Sequence, residues 1–184
     1  MPKKGFTEMF KNMINKKNIA VSLNSKIVFN IKTVDDFINQ YDYIFYSGPI
    51  DNFFNFKYGK LNWRSLKFKY KNFKKDLKQV VGQINYPNQF KYTRSVEYKH
   101  ITKQKNKTTT ISYEYPLKEG DPYYPVNTKE DHFKYRNYLK KTKELEKKKV
   151  FFVGRLAEYT YINTDEAIDK AIKLYKKISK KHNL

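Results

Sequence analysis

Apolar residues recur at helical intervals near the start of the chain. Phe6, Met9, Phe10 and Met13 share one face, with Thr7 and Glu8 in the opening turn, so a short helix is predicted within the first twenty residues. The pattern then shortens. Ile19-Ala20-Val21 and Ile27-Val28-Phe29 are two brief apolar runs around an Asn24-Ser25 turn signal, as in a pair of short strands. Thr33 stands at an N-cap position ahead of a helix carrying Val34, Phe37 and Ile38. Tyr41 to Tyr46 reads as a strand that breaks at Ser47-Gly48-Pro49.

The middle of the chain predicts an antiparallel sheet. Leu66–Tyr70, Val80–Tyr86, Tyr92–Ile101 and Thr108–Tyr115 are rich in β-branched and aromatic residues, and Thr102–Lys107 suits a hairpin connection. Polar residues alternate with aromatics here, so one face can form a substrate platform. A Pro-rich loop covers Pro116–Pro125, followed by a charged helix from Thr128 to about Lys147. Val150–Val153 is fully apolar, which fits a buried strand of a parallel or mixed sheet. Thr164-Asp165-Glu166 opens a last helix expected to turn Ala167, Ala171, Leu174, Tyr175 and Ile178 toward the core. Strand, Gly-Arg turn and capped helix together place a helix N-terminus near Arg155, where an anion would be attracted. The fold class is mixed α and β. No repeat or linker divides the 184 residues, so one region is expected.

Composition narrows the function. Charged residues at 31% and aromatics at 17% fit a folded chain, and the absence of cysteine excludes disulfides and thiolate metal sites. No apolar run reaches membrane-span length and no signal-peptide pattern opens the chain, so a cytoplasmic protein is expected. The formal charge of +21 raises a polyanion-binding module, including nucleic acid, as an alternative. Against it, the lysines are spread along the chain, and they accompany abundant Asn, Ile and Tyr, all with AT-rich codons. His100, His132 and His182 show no metal-ligand spacing. Only four of the 39 basic residues are arginine. Three of them, Arg64, Arg94 and Arg155, lie in the stretches that read as motifs. Arginine offers a planar fork to phosphate or carboxylate where lysine offers a point charge.

Those stretches, in order, resemble UDP-galactopyranose mutase. The resemblance rests on Tyr46–Asp51, Gly59–Leu66, Asn85-Tyr86-Pro87 with Tyr92-Thr93-Arg94, and Glu97–His100. It continues through Glu114-Tyr115-Pro116, Pro122–Asn127 and Gly154–Tyr161, and Pro2 with Gly5-Phe6-Thr7 is similar to the family's opening segment. It covers essentially the whole chain but only about the C-terminal half of the family. The family's Gly-x-Gly-x-x-Gly turn, which grips the FAD pyrophosphate, is not among these 184 residues.

The resemblance implies interconversion of UDP-galactopyranose and UDP-galactofuranose, a step of galactofuranose biosynthesis. Reduced FAD supplies the nucleophile and the protein supplies position and charge stabilisation. It implies that Arg94, Tyr124 and Tyr161 hold the UDP diphosphate, that Asn85 lies on the nucleotide-sugar side, and that Glu114 is an active-site carboxylate. Arg64, Gly154 and Arg155 fall beside the flavin, and the amides of Asn163 and Thr164 face its ring. Val153 and Thr164 depart from residues the family often carries. Residues 65–125 correspond to the substrate-binding sheet, and 1–50 with 148–184 to part of the FAD domain. A separately encoded N-terminal half or a homo-oligomer is the expected partner, and the chain alone is expected to hold FAD weakly or not at all. A fragment that keeps the motifs without activity is the alternative.

Overall fold

The computed structural model describes Pro2, residues 4–25 and residues 27–182. It contains helices and sheets in mixed order, as the fold class requires, and the chain divides into two units: Met1–Lys26 with Leu66–Lys118, and Ile27–Ser65 with Glu119–Leu184.

In the first unit, α1 (Gly5–Ile14) forms as the periodicity predicts, yet buries none of its residues. Phe6, Phe10 and Met13 remain exposed along its apolar face. The sheet runs β3 (Gln83–Asn85), β4 (Arg94–Glu97), β5 (Thr109–Leu117), and then the body of β2 (Trp63–Phe73). β4 pairs antiparallel with both β3 and β5. Two expectations fail here. The strand predicted over Val80–Tyr86 contracts to three residues, with Val80 almost wholly exposed. The strand predicted to run on to Ile101 stops at Glu97, because Tyr98–Thr102 forms a helical turn, α4. That turn carries Lys99 and His100 back over the sheet. The Lys99 ammonium reaches Asp76 and the carbonyls of Asn106 and Thr108, and His100 Nε2 lies 2.9 Å from the Gln79 carbonyl. These polar anchors outweigh the β propensity of Tyr98 and Ile101.

In the second unit, β1 (Ile44–Tyr46) and β7 (Val150–Phe152) pair in parallel, with Ile44 opposite Val150. Val150 is fully buried and Phe151 nearly so, as a parallel strand demands. α5 (Lys129–Lys147) precedes β7 and packs against it. Thr128 caps α5, its hydroxyl accepting the Asp131 N–H at 3.0 Å. Asp131, Tyr138, Thr142 and Leu145 form the buried stripe of α5, and the lysines occupy its other faces. The core gathers Ile50 and Phe53 of α3 (Ile50–Phe53), Phe54, Leu61, Tyr138, Val150 and Tyr159. β6 (Tyr124–Pro125) pairs with the first residues of β2, setting Tyr124 opposite Arg64.

Three corrections concern segments reaching into this unit. No strand forms among the described residues of 18–30, because the apolar runs find no strand to pair with. Ile19, Val21, Ile27 and Val28 stay largely exposed, while Phe29 turns inward against Phe53 and Tyr46. Thr33 does precede α2 (Val34–Ile38), but its hydroxyl donates to the Val28 carbonyl at 2.8 Å and closes this loop instead of capping the helix. On α6 (Thr164–His182), Ile178 is buried and Ala167 and Leu174 are half-buried, but Ala171 and Tyr175 are exposed. The inward face is narrower than the apolar spacing suggests.

Candidate nucleotide-sugar and flavin site

The first unit brings three expected site residues onto one rung of its sheet. Asn85, Arg94 and Glu114 are neighbours across β3, β4 and β5. Because paired residues of adjacent strands share a face, their side chains stand in a row. Arg94 Nε donates to Asn85 Oδ1 at 3.0 Å, and Arg94 Nη1 lies 3.5 Å from Glu114 Oε2. Glu114 is nearly buried and Arg94 is about one-third exposed. The guanidinium is thus braced on two sides by a carboxylate and an amide, and it still reaches solvent. That arrangement suits a fork whose plane must be fixed before an anion arrives.

Behind this rung, on the opposite face, lies a network that sequence reading missed. Glu97, fully buried, accepts the N–H groups of Lys78 and Gln79 at 2.9 and 2.6 Å and the Thr109 hydroxyl at 2.6 Å. His100 Nε2 lies 3.5 Å from its other edge. The Gln79 side chain accepts from Ser95, whose hydroxyl meets that of Tyr86. Burial opposes the charge on Glu97, but these hydrogen bonds and His100 together outweigh it and hold the carboxyl below its ordinary value of 4.5. A lowered folded value stabilises above the unfolded value and loses that contribution as pH falls through the folded one. The stability difference between the parent chain and Glu97→Gln is therefore expected to shrink as pH falls below about 4.5. Urea unfolding at stepped pH measures it, and a difference that grows on acidification would contradict the assignment.

The second unit gathers another group. The rings of Tyr124 and Tyr161 stack at 5.2 Å and 25°, and the Arg155 guanidinium carbon lies 4.5 Å from the Tyr161 centroid and 5.6 Å from that of Tyr124. Arg155 Nη2 donates to the Tyr123 carbonyl, whereas Nε is buried with no hydrogen-bond partner among the described residues. Leaving such an N–H unmet costs about 1–3 kcal/mol. Arg64, exposed, lies across the strand pair from Tyr124. Gly154 has φ +103°, a conformation that favours glycine.

The helix start expected beside Arg155 is displaced. Gly154–Tyr159 forms a turn, and α6 begins only at Thr164. The Asn163 N–H donates to Glu166 Oε2 at 2.7 Å, the return half of a capping box, so this amide is committed within the helix cap. Tyr159, buried, places its hydroxyl 2.6 and 2.8 Å from the Asn62 and Val126 carbonyls, and burial pushes its pKa well up. Among the described residues no group of His, Asp and Glu is placed to hold a metal ion, and no helix is long and apolar enough to cross a membrane.

The family model of UDP-galactopyranose mutase matches residues 1–161. The chain belongs to this family. Among curated mutase relatives, the dTDP-fucopyranose mutase of Escherichia coli is 34% identical over 179 residues. The UDP-galactopyranose mutases of Mycoplasma genitalium and Mycoplasma pneumoniae are 34% and 33% identical over 192 and 187 residues. Each alignment takes in 94% of this chain and 46% of the relative, so the chain spans about half the length of the mutases it matches.

Proposed function

We propose that this chain forms the nucleotide-sugar-binding part and part of the flavin-facing wall of a UDP-galactopyranose mutase, interconverting UDP-galactopyranose and UDP-galactofuranose. The observation that carries the reading is Arg155. Its guanidinium covers two stacked tyrosines, and its buried Nε–H has no hydrogen-bond partner among the described residues.

The family is known to use FAD, and the residues present fit it. Arg64 and Arg155 are the cationic groups that would hold the ring, with Gly154, whose positive φ favours glycine, and Thr164 completing the set. When bound, reduced FAD supplies the nucleophile toward the anomeric carbon. The chain's own part is binding and charge. Arg94, oriented by Asn85 and Glu114, takes the diphosphate. Charge builds on the diphosphate as the bond to the sugar breaks, and fixed cationic donors favour that state. Keeping the diphosphate bound also keeps it ready to return.

The test is turnover of UDP-galactofuranose under reducing conditions by this chain assembled with the family's dinucleotide-binding half, in one polypeptide or as a separate chain. Conversion to UDP-galactopyranose, resolved by chromatography, is expected. A flavin-loaded assembly that converts none would sink the reading. The Escherichia coli relative favours a second substrate, so dTDP-fucofuranose belongs in the same assay, and faster turnover of it would reassign the substrate while keeping the chemistry.

A further inference from the structure

We propose that Glu158 is a positioning residue for Arg155 and that it acts through the Gly154 amide instead of through its ion pair. The turn that carries Arg155 leaves β7 with Gly154 at φ +103° and closes on Tyr159 at φ +43°. Positive φ at a tyrosine is uncommon and persists only where surrounding bonds over-determine it. Glu158 supplies two of those bonds. Its N–H donates to the Gly154 carbonyl at 2.9 Å, and its Oε1 accepts the Gly154 N–H at 3.2 Å, so residue 154 is clasped from both sides. The Thr160 N–H then donates to the Arg155 carbonyl at 3.1 Å.

Arg155 needs such support because its own fork is tied at one end. Nη2 is fixed on the Tyr123 carbonyl, while Nε has no partner among the described residues. Where the Nε edge points is therefore set by the backbone that carries it. The other oxygen of Glu158 pairs with Lys170 on α6, but both side chains are partly exposed, and pairs of that kind contribute little. The same carboxylate acts on Tyr135, whose pKa is pushed up to about 12, first by burial and then by the charge of Glu158. The clasp thus lies within a partly buried setting and not out in solvent.

The chain carries its own reporter. Trp63 is the single tryptophan, and its ring meets that of Tyr159 edge-on at 5.1 Å and 88°. Three variants of the full chain separate the two roles. Lys170→Met removes the ion pair and keeps the acceptor. Glu158→Gln keeps an acceptor oxygen without the charge. The exchange E158K/K170E keeps an ion pair but puts a donor where Gly154 needs an acceptor. The expected result is Trp63 emission matching the parent in the first two and red-shifted in the exchange. In the assembled enzyme, the exchange should also lower kcat/KM about tenfold through misplacement of Arg155, with K170M within about twofold. Emission of the exchange matching the parent, or K170M shifting as far as the exchange, would overturn the proposal. The kinetic arm rests on the mutase reading. A parent assembly with no turnover sinks that reading and leaves the emission arm to decide this one.

Discussion

Arg94→Ala is expected to lower kcat/KM of the assembled enzyme at least about 100-fold, the scale of losing one preorganised donor to developing charge. The substitution removes the guanidinium and also takes from Glu114 the cation that lies 3.5 Å from its Oε2. A carboxylate alone there repels a diphosphate, so KM should rise as well as kcat fall. Arg94→Lys tests geometry apart from charge. The ammonium restores the positive charge but cannot bond Asn85 Oδ1 and a diphosphate as a planar fork does. An intermediate loss of about tenfold is expected, since a misaligned bidentate contact forfeits one charge-assisted hydrogen bond. Steady-state kinetics on parent and both variants, with UDP affinity from titration, make the comparison. Unchanged turnover in Arg94→Ala would remove the diphosphate from Arg94.

The rung that orients Arg94 was legible only in part. Asn85, Arg94 and Glu114 lie nine and twenty residues apart, and no local periodicity connects them. Resemblance supplied their candidacy, and register supplied the reason they stand side by side. Elements with a strong internal signature were readable directly. β7 is apolar throughout, and α5 carries Thr128 followed by acidic residues and a buried stripe. The failures share a cause. The runs at 19–21 and 27–29 have strand composition without a strand to pair with, and Tyr98–Ile101 has strand composition but is held as a helical turn by Lys99 and His100. In each case the decision lies in partners far along the chain. Ala171 and Tyr175 show the same limit on a helix, where spacing marks a possible face but the neighbouring surface decides how wide it is.

Buried carboxylates were the least legible feature, because hydropathy assigns acids to the surface. Asp51 and Asp131 lie in segments that read as turn and solvated helix, yet both are buried. They hold successive amides. Asp51 Oδ2 accepts the Leu61 N–H at 2.9 Å, and Asp131 Oδ1 accepts the Asn62 N–H at 3.2 Å. Two residues later the chain reaches Arg64, so these acids fix the start of the strand that presents it.

Asp131→Ala is accordingly expected to cost on the order of 3 kcal/mol. Three donors lose their acceptor together: the Asn62 N–H, the Asn62 side-chain amide at 2.9 Å, and the Thr128 hydroxyl at 2.6 Å. Asp131 itself is completely buried, although Asn62 and Thr128 reach the surface, so water replaces the carboxylate only in part. The cap of α5 survives, because the Asp131 N–H to Thr128 bond belongs to the backbone at position 131. What separates is the junction between α5 and the start of β2. Asp131→Asn should be milder, since one amide oxygen can still serve Asn62 while the Thr128 hydroxyl faces a donor. Urea denaturation of parent and both variants at neutral pH measures the order. Equal loss in the two would mean that space, not hydrogen bonding, is what Asp131 provides.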